Sequence, residues 1–207
     1  MLKFDEKTHT YTLNGKKIPS VTQILNRVGT RNDEGSPWQS VSGGDFMRDE
    51  TAAVFGTEFH KAAAARIMHN KFTYDPVMQP WINGLENFLS EYEFWDCEVE
   101  ISHHSKFGFA GTMDLFGSYK HKDRAGLCVL DWKTSTTISK STRFQTAGYE
   151  QIAREKYSIY GNKLIDRLTV RIFENGYEVD LRTRKHSSDW NKFLSILNVY
   201  KTYSKKG

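Results

Sequence analysis

Leu127-Cys128-Val129-Leu130-Asp131-Trp132-Lys133-Thr134-Ser135 reads as an apolar strand that turns polar at its end, and Ala110-Gly111-Thr112-Met113-Asp114-Leu115-Phe116 reads as a second strand shortly before it. Alternate residues of a strand share a face, so Asp131 and Lys133 point the same way, as do Leu127 and Val129. An acid and an amine carried by a buried strand are costly unless paired or metal-bound. If the two segments form a hairpin whose turn is centred between Lys122 and Asp123, Asp114 and Asp131 fall directly opposite, with Cβ atoms ~4.5–5.5 Å apart. Two carboxylates that close repel each other and suit a divalent cation. Oxygen donors without thiolates favour Mg2+ or Mn2+ over zinc. The competing reading is a salt-bridged hairpin in which Lys133 neutralises one of the acids.

Further candidates lie to either side. Ala53, Gly56, His60, Ala63, Ala64 and Ile67 recur at helical steps and predict a helix over 49–69 with His60 on its inward face, a ligand or a satisfied core histidine. Glu98 and Glu100 share one face of a strand over 97–104, while Cys97, Val99 and Ile101 take the other. Either glutamate is a further metal ligand or part of a solvated face. Gln145 and Tyr149, four apart on a helix over 144–157, aim at one place, as site residues or as packing.

Around these, the pattern predicts a helix over 77–94, strands over 109–117 and 127–134, a hairpin of 168–173 and 177–183 turning through Asn175-Gly176, and a last helix capped by Ser188. Near the start, Asn14-Gly15 joins β-prone segments, the strongest short hairpin signal. Ser20 followed by Gln23 forms a capping box, so the helix it opens could present amides to a phosphate. Residues 29–48 read as a long loop in which Trp38 is a packing residue or a lid anchor. The succession is that of a mixed α/β layer protein, a central mixed β-sheet flanked by helices.

Composition bounds the rest. The 207 residues are 38% hydrophobic, 26% charged and 14% aromatic, which excludes a disordered chain, a coiled coil and a collagen-like fibre. One domain over 1–207 is expected, with an N-terminal hairpin and helices to 95, a catalytic core over 96–160 and a C-terminal hairpin and helix over 161–207. No apolar run reaches the ~18 residues of a membrane span. Acids at Asp5 and Glu6 fit no secretion signal, so a cytoplasmic, unsecreted protein is expected. A net charge of +4 permits a nucleic-acid partner without requiring one. Lys120, Lys122 and Arg124 in the hairpin loop and Arg182, Arg184 and Lys185 after the last strand are candidate phosphate contacts.

The ordered set Gly56-x-x-x-His60, Gly111-Thr112-x-Asp114, Asp131-x-Lys133 and Gln145-x-x-x-Tyr149 resembles the PD-(D/E)XK nucleases, in particular their RecB-like exonuclease branch. Residues 127–135 are similar to mitochondrial genome-maintenance exonucleases, and Thr8-His9-Thr10-Tyr11 with Pro19-Ser20-Val21-Thr22 to bacteriophage members. The resemblance implies a restriction-endonuclease-like core and a Mg2+- or Mn2+-dependent DNA exonuclease acting on linear single- or double-stranded DNA. A role in phage-type recombination, replication or DNA processing follows, in a phage or bacterial host cell, with a recombination or replication protein as partner.

The same resemblance implies that His60, Asp114, Asp131 and the Trp132 carbonyl bind metal and that Lys133 activates the attacking water. It implies that Gln145, Tyr149, Thr134, Ser135 and Ser20 meet the substrate. Asp131 stands where many relatives have glutamate, and no proline precedes Asp114. Two cysteines, Cys97 and Cys128, are too few for the iron–sulfur cluster of some relatives. An endonuclease and a non-catalytic DNA-binding module are the alternatives.

Overall fold

Asn14 and Gly15 both take positive φ, 50° and 80°, the conformation that a two-residue turn between twisted strands requires. In the computed structural model, which describes residues 1–5, 8–27, 29–30, 39–40, 50–158, 163–183 and 186–204, this turn joins β2 (Thr10–Leu13) to β3 (Lys16–Ile18). An unanticipated strand, β1 (Leu2–Asp5), pairs with β2. Next come α1 (Val21–Arg27), the short pair β4 (Gly29–Thr30) and β5 (Gln39–Ser40), α2 (Glu50–Ile67), a 3-10 turn (Pro76–Met78) and α3 (Gln79–Glu91). The chain continues through β6 (Glu93–Ser105), β7 (Phe109–His121), β8 (Arg124–Lys133), α4 (Thr142–Lys156), β9 (Ile165–Phe173), β10 (Gly176–Arg182) and α5 (His186–Ser204).

Strands β10-β9-β8-β7-β6 form one sheet in that order. Only β8 and β9 are parallel, and α4 supplies the crossover that a parallel pair needs. The expected turn is in place: His121 pairs with Arg124, and Lys122 takes a φ of 53°. The protein is α/β, with a five-stranded mixed central sheet flanked by helices, consistent with a restriction-endonuclease-like core.

Each face of the sheet buries its own core. On one, Phe59 and Ala63 of α2 and Ile82, Leu85 and Phe88 of α3 pack on Leu115, Leu130 and Trp132. On the other, Val21 and Ile24 of α1, Ile152 of α4 and Phe193 of α5 pack on Met113, Phe116 and Val129. Among the described residues no helix is long and apolar enough to cross a membrane.

Several boundaries differ from expectation. Tyr92 is extended (φ −114°, ψ 114°), so α3 ends at Glu91 and Phe94 joins β6, opposite Tyr119. Lys120 and Arg124 lie in strands, and Arg124 forks onto Asp166 at 2.7 Å instead of pointing to a ligand. Arg182 sits 2.9 Å from Asp180. The last helix starts at His186, so Ser188 lies inside it. Within 29–48 the β4–β5 pairing replaces part of the loop. Trp38, Arg184 and Lys185 fall outside the described residues.

Candidate active site

Strand β8 alternates cleanly. Cys128, Leu130 and Trp132 enter the first core and Val129 the second, so Asp131 and Lys133 follow Val129 onto the α4 side. Asp131 is 2% exposed. Its Oδ1 accepts a hydrogen bond from Gln145 Nε2 at 3.0 Å. Its Oδ2 is ion-paired with Lys133 Nζ at 2.6 Å. Burial raises the Asp131 pKa; Lys133 opposes the rise and the Asp114 charge adds to it.

Asp114 arrives by register. The β7–β8 ladder ends at Leu115 opposite Leu130, and Asp114 and Asp131 are the next residues of their strands beyond it. Its Oδ2 accepts the Trp132 backbone N–H at 2.7 Å, and its Oδ1 lies 3.2 Å from His60 Nδ1. Burial works against the Asp114 carboxylate, but His60, Lys133 and the Trp132 N–H outweigh it, and the pKa is lowered. Burial likewise disfavours the His60 imidazolium, yet the neighbouring Asp114 prevails and raises the pKa.

Glu100 completes a cluster in which candidate ligand atoms of His60, Glu100 and Asp114 all lie within 4.8 Å of one another. A left-handed φ of 51° brings it there. Val99 packs in the first core and Ile101 in the second, so β6 changes face at Glu100. On β7 the same change falls between Met113 and Leu115, that is, at Asp114. The expected single-face alternation of 97–101 therefore fails, and Glu98 and Glu100 part company. Glu98 goes to Lys156 Nζ at 2.6 Å and stays away from the cluster.

Helix α4 braces the floor. Gln145 Nε2 donates to both Asp131 Oδ1 and Tyr149 OH, each at 3.0 Å, so Gln145 is a brace within the cluster. Tyr149 lies against Gly111, where a Cβ would come within 2.7 Å of its ring. A cleft of about 860 Å³ opens over this floor, lined by His60, Glu100, Asp114, Trp132, Lys133, Thr134, Ser135 and Tyr149. Ser135 Oγ donates to the Thr137 carbonyl at 2.9 Å. Ser20 also lines the cleft, but its N–H is taken by Gln23 Oε1 at 3.1 Å and its Oγ accepts Gln23 N–H at 3.0 Å. The capping box is thus formed and leaves the Ser20 amide engaged.

The N-terminal sheet adds a wall that the motifs did not assign. Phe4, His9 and Tyr11 line the cleft, and Tyr11 OH meets Thr112 Oγ1 at 2.6 Å. Ala110 N–H donates to the Pro19 carbonyl at 2.9 Å, so this segment is fastened to β7 beside Gly111-Thr112. The sequence signals for it are the Asn14-Gly15 turn and the Thr8-His9-Thr10-Tyr11 and Pro19-Ser20-Val21-Thr22 resemblance, which mark the segment but not its neighbour.

A restriction-endonuclease-like sheet thus carries two buried aspartates, a lysine, a histidine and a glutamate at one cleft. No family model matches the chain. It is 25% identical over 219 residues to mitochondrial genome maintenance exonuclease 1 of Xenopus tropicalis, an alignment covering 97% of this chain and 62% of that protein. It is 29% identical over 136 residues to the protein of the same name from Mus musculus, covering 59% of this chain and 38% of that one. The chain thus spans less than two thirds of the length of either relative. This distant similarity supports an exonuclease relationship.

Proposed function

We propose that the chain is a single nuclease domain over 1–207, a divalent-metal-dependent DNA exonuclease of the PD-(D/E)XK, RecB-like kind. One observation carries the reading: candidate ligand atoms of His60, Glu100 and Asp114 cluster at the floor of a cleft that Lys133 also lines, with the buried Asp131 ion-paired to that lysine. The donor set fits a divalent cation, because Asp131 adjoins the cluster. Both cysteines lie with the first core, away from the acids, which favours Mg2+ or Mn2+ over a thiophilic metal. His60, Asp114, Asp131 and the Trp132 carbonyl would hold the metal, with Glu100 in the place that Glu98 leaves.

When bound, the ion supplies Lewis acidity and lowers the pKa of a ligated water. The chain's own groups do the rest. Lys133, partly exposed on the cleft side, holds the attacking water and offsets the negative charge that develops on the phosphoryl oxygens. Gln145 fixes the Asp131 carboxylate through Oδ1. The Tyr149 ring packs on Gly111, which holds the Gly-Thr-x-Asp strand in place. Thr134 offers a hydroxyl donor to the phosphate at the mouth, whereas the Ser135 hydroxyl is given to the Thr137 carbonyl.

Linear DNA is the proposed substrate, and DNA recombination, replication or processing the setting, with a protein of that machinery as partner. The phage or bacterial cytoplasm rests on the sequence resemblance; the two relatives are named as mitochondrial. The test is degradation of end-labelled linear and circular DNA with Mg2+, Mn2+ or EDTA, with Asp131→Asn and Lys133→Ala proteins alongside. Metal-dependent loss of linear DNA alone, absent in both variants, is the expected result. Cleaved circles make the protein an endonuclease, and bound but uncut DNA makes it a binding module.

A further inference from the structure

The cleft has two unlike walls. On the α2 side, beyond His60 and Lys61, the lining is small: Ala52, Ala53, Gly56 and Thr57. On the N-terminal side it is aromatic: Phe4, His9 and Tyr11. Phe4 and Tyr11 face each other across the β1–β2 register and stack at 4.5 Å with 25° between their planes. Neither belongs to the two cores that hold the sheet's helices. Phe4 is half-buried and borders the cleft. His9, held at a φ of 46°, places its ring 6.0 Å from that of Phe4. The wall is also tied to the floor, because Tyr11 OH bonds to Thr112, two residues before Asp114.

We infer that the N-terminal sheet is a base-stacking subsite: Phe4, backed by Tyr11 and flanked by His9, takes the nucleobase next to the phosphate lying over Asp131 and Lys133. This rests on the nuclease reading of the floor and extends it to the rest of the nucleotide. A charged floor and an aromatic wall match the two halves of a nucleotide, an anionic phosphate and a planar base. The small side chains of α2 opposite leave the width of the cleft to the ligand. Stacking is indifferent to base identity, since every base has a π-face. The subsite therefore gives grip without sequence preference.

The test uses the full chain carrying Asp131→Asn, with Mg2+ present, and a linear oligonucleotide with 2-aminopurine at its ends. Binding should quench the 2-aminopurine emission. Adding Phe4→Leu should abolish the quenching and weaken binding roughly 5- to 100-fold. Phe4→Trp should restore both, with thermal unfolding unchanged across the set. Quenching and affinity unaltered by Phe4→Leu in a folded protein would overturn the subsite. If Phe4→Leu does not fold, Phe4→Trp decides: bound oligonucleotide must quench the emission that the new indole adds, and undiminished emission overturns the subsite. Unsubstituted protein is assayed in parallel for cleavage of the same oligonucleotide. Cleavage with unaltered quenching refutes the wall alone, whereas quenching that depends on Phe4 without any cleavage refutes the nuclease reading and keeps the wall.

Discussion

Helix α4 serves two clusters of buried charge, and they are built on opposite plans. Behind it, Arg167 is 2% exposed and donates to Asp189 Oδ2 at 2.7 Å and to the Arg143 carbonyl at 2.8 Å, with Glu150 at 3.4 Å. Arg154 covers the other Glu150 oxygen at 2.7 Å. Each acid of this knot has its guanidinium. In front of α4, the buried Asp114 and Asp131 meet the exposed Glu100, with His60 beside Asp114 and Lys133 beside Asp131. The balanced cluster is closed and pins α4 to β9 and α5. The unbalanced one opens on a cleft. Buried charge alone therefore marks no site; surplus negative charge with access does.

The sharpest way to break this contrast is Asp131→Asn. Nuclease rate should fall by at least ~10²–10³-fold, as when a charge-stabilising group is removed from a site. The melting temperature should hold or rise, because the burial penalty on that carboxylate disappears. A variant that melts early would place Asp131 with the scaffold. Arg167→Ala should do the reverse. It takes a buried guanidinium from Asp189 Oδ2 and from one of the two Glu150 oxygens, costing ~3–5 kcal/mol in chemical denaturation. Stability within 1 kcal/mol of the parent, to order of magnitude, would show the knot to be solvent-compensated.

Gly111→Ala lies between the two plans. The added methyl meets the Tyr149 ring, so urea denaturation should report a loss of ~1–3 kcal/mol, with cleavage slowed through the displaced Tyr149–Gln145 brace.

The smallest effect concerns pH. The raised pKa of His60 gives the metal-free protein stability that is complete below about 6.5 and is lost as pH climbs through the raised value. The lowered pKa of Asp114 gives stability that is present above about 3.8 and lost as pH falls through the lowered value. Thermal melts of His60→Asn against pH should lack the upper decline. Metal and proton compete for the same cluster, so Mn2+ titrated calorimetrically should bind more tightly as pH rises from about 6.5.

Much of this was readable from the sequence. The register that brings Leu115 opposite Leu130, and so Asp114 and Asp131 just past the end of the ladder, follows from the turn at Lys122-Asp123, because strand register is integer arithmetic once the turn is fixed. The helices carrying His60, Gln145 and Tyr149 were legible from apolar periodicity. Glu100 was not separable from Glu98, since β6 changes face at a residue whose left-handed φ nothing in Glu-Val-Glu announces. Arg167 was missed because a charged residue inside Leu-Thr-Val-Arg-rich strand sequence looks the same whether its partners are water or two acids from distant helices. Strand β1 and the aromatic wall escaped for a related reason: four residues give too little pattern, and the contact between Tyr11 and Thr112 spans 101 positions.

The crossover through α4 has a kinetic corollary. Asp114 and Asp131 can come together in a local antiparallel hairpin, which closes a short loop and forms early. Gln145 and Tyr149 join them only when α4 docks on the sheet, and β9 can pair in parallel with β8 only after the chain has passed through that helix. The braced arrangement of the candidate site is therefore among the last features the chain acquires as it folds. A nascent or half-folded molecule carries both acids and the lysine yet lacks the Gln145 brace on Asp131, so the activity proposed for the site waits for the finished fold.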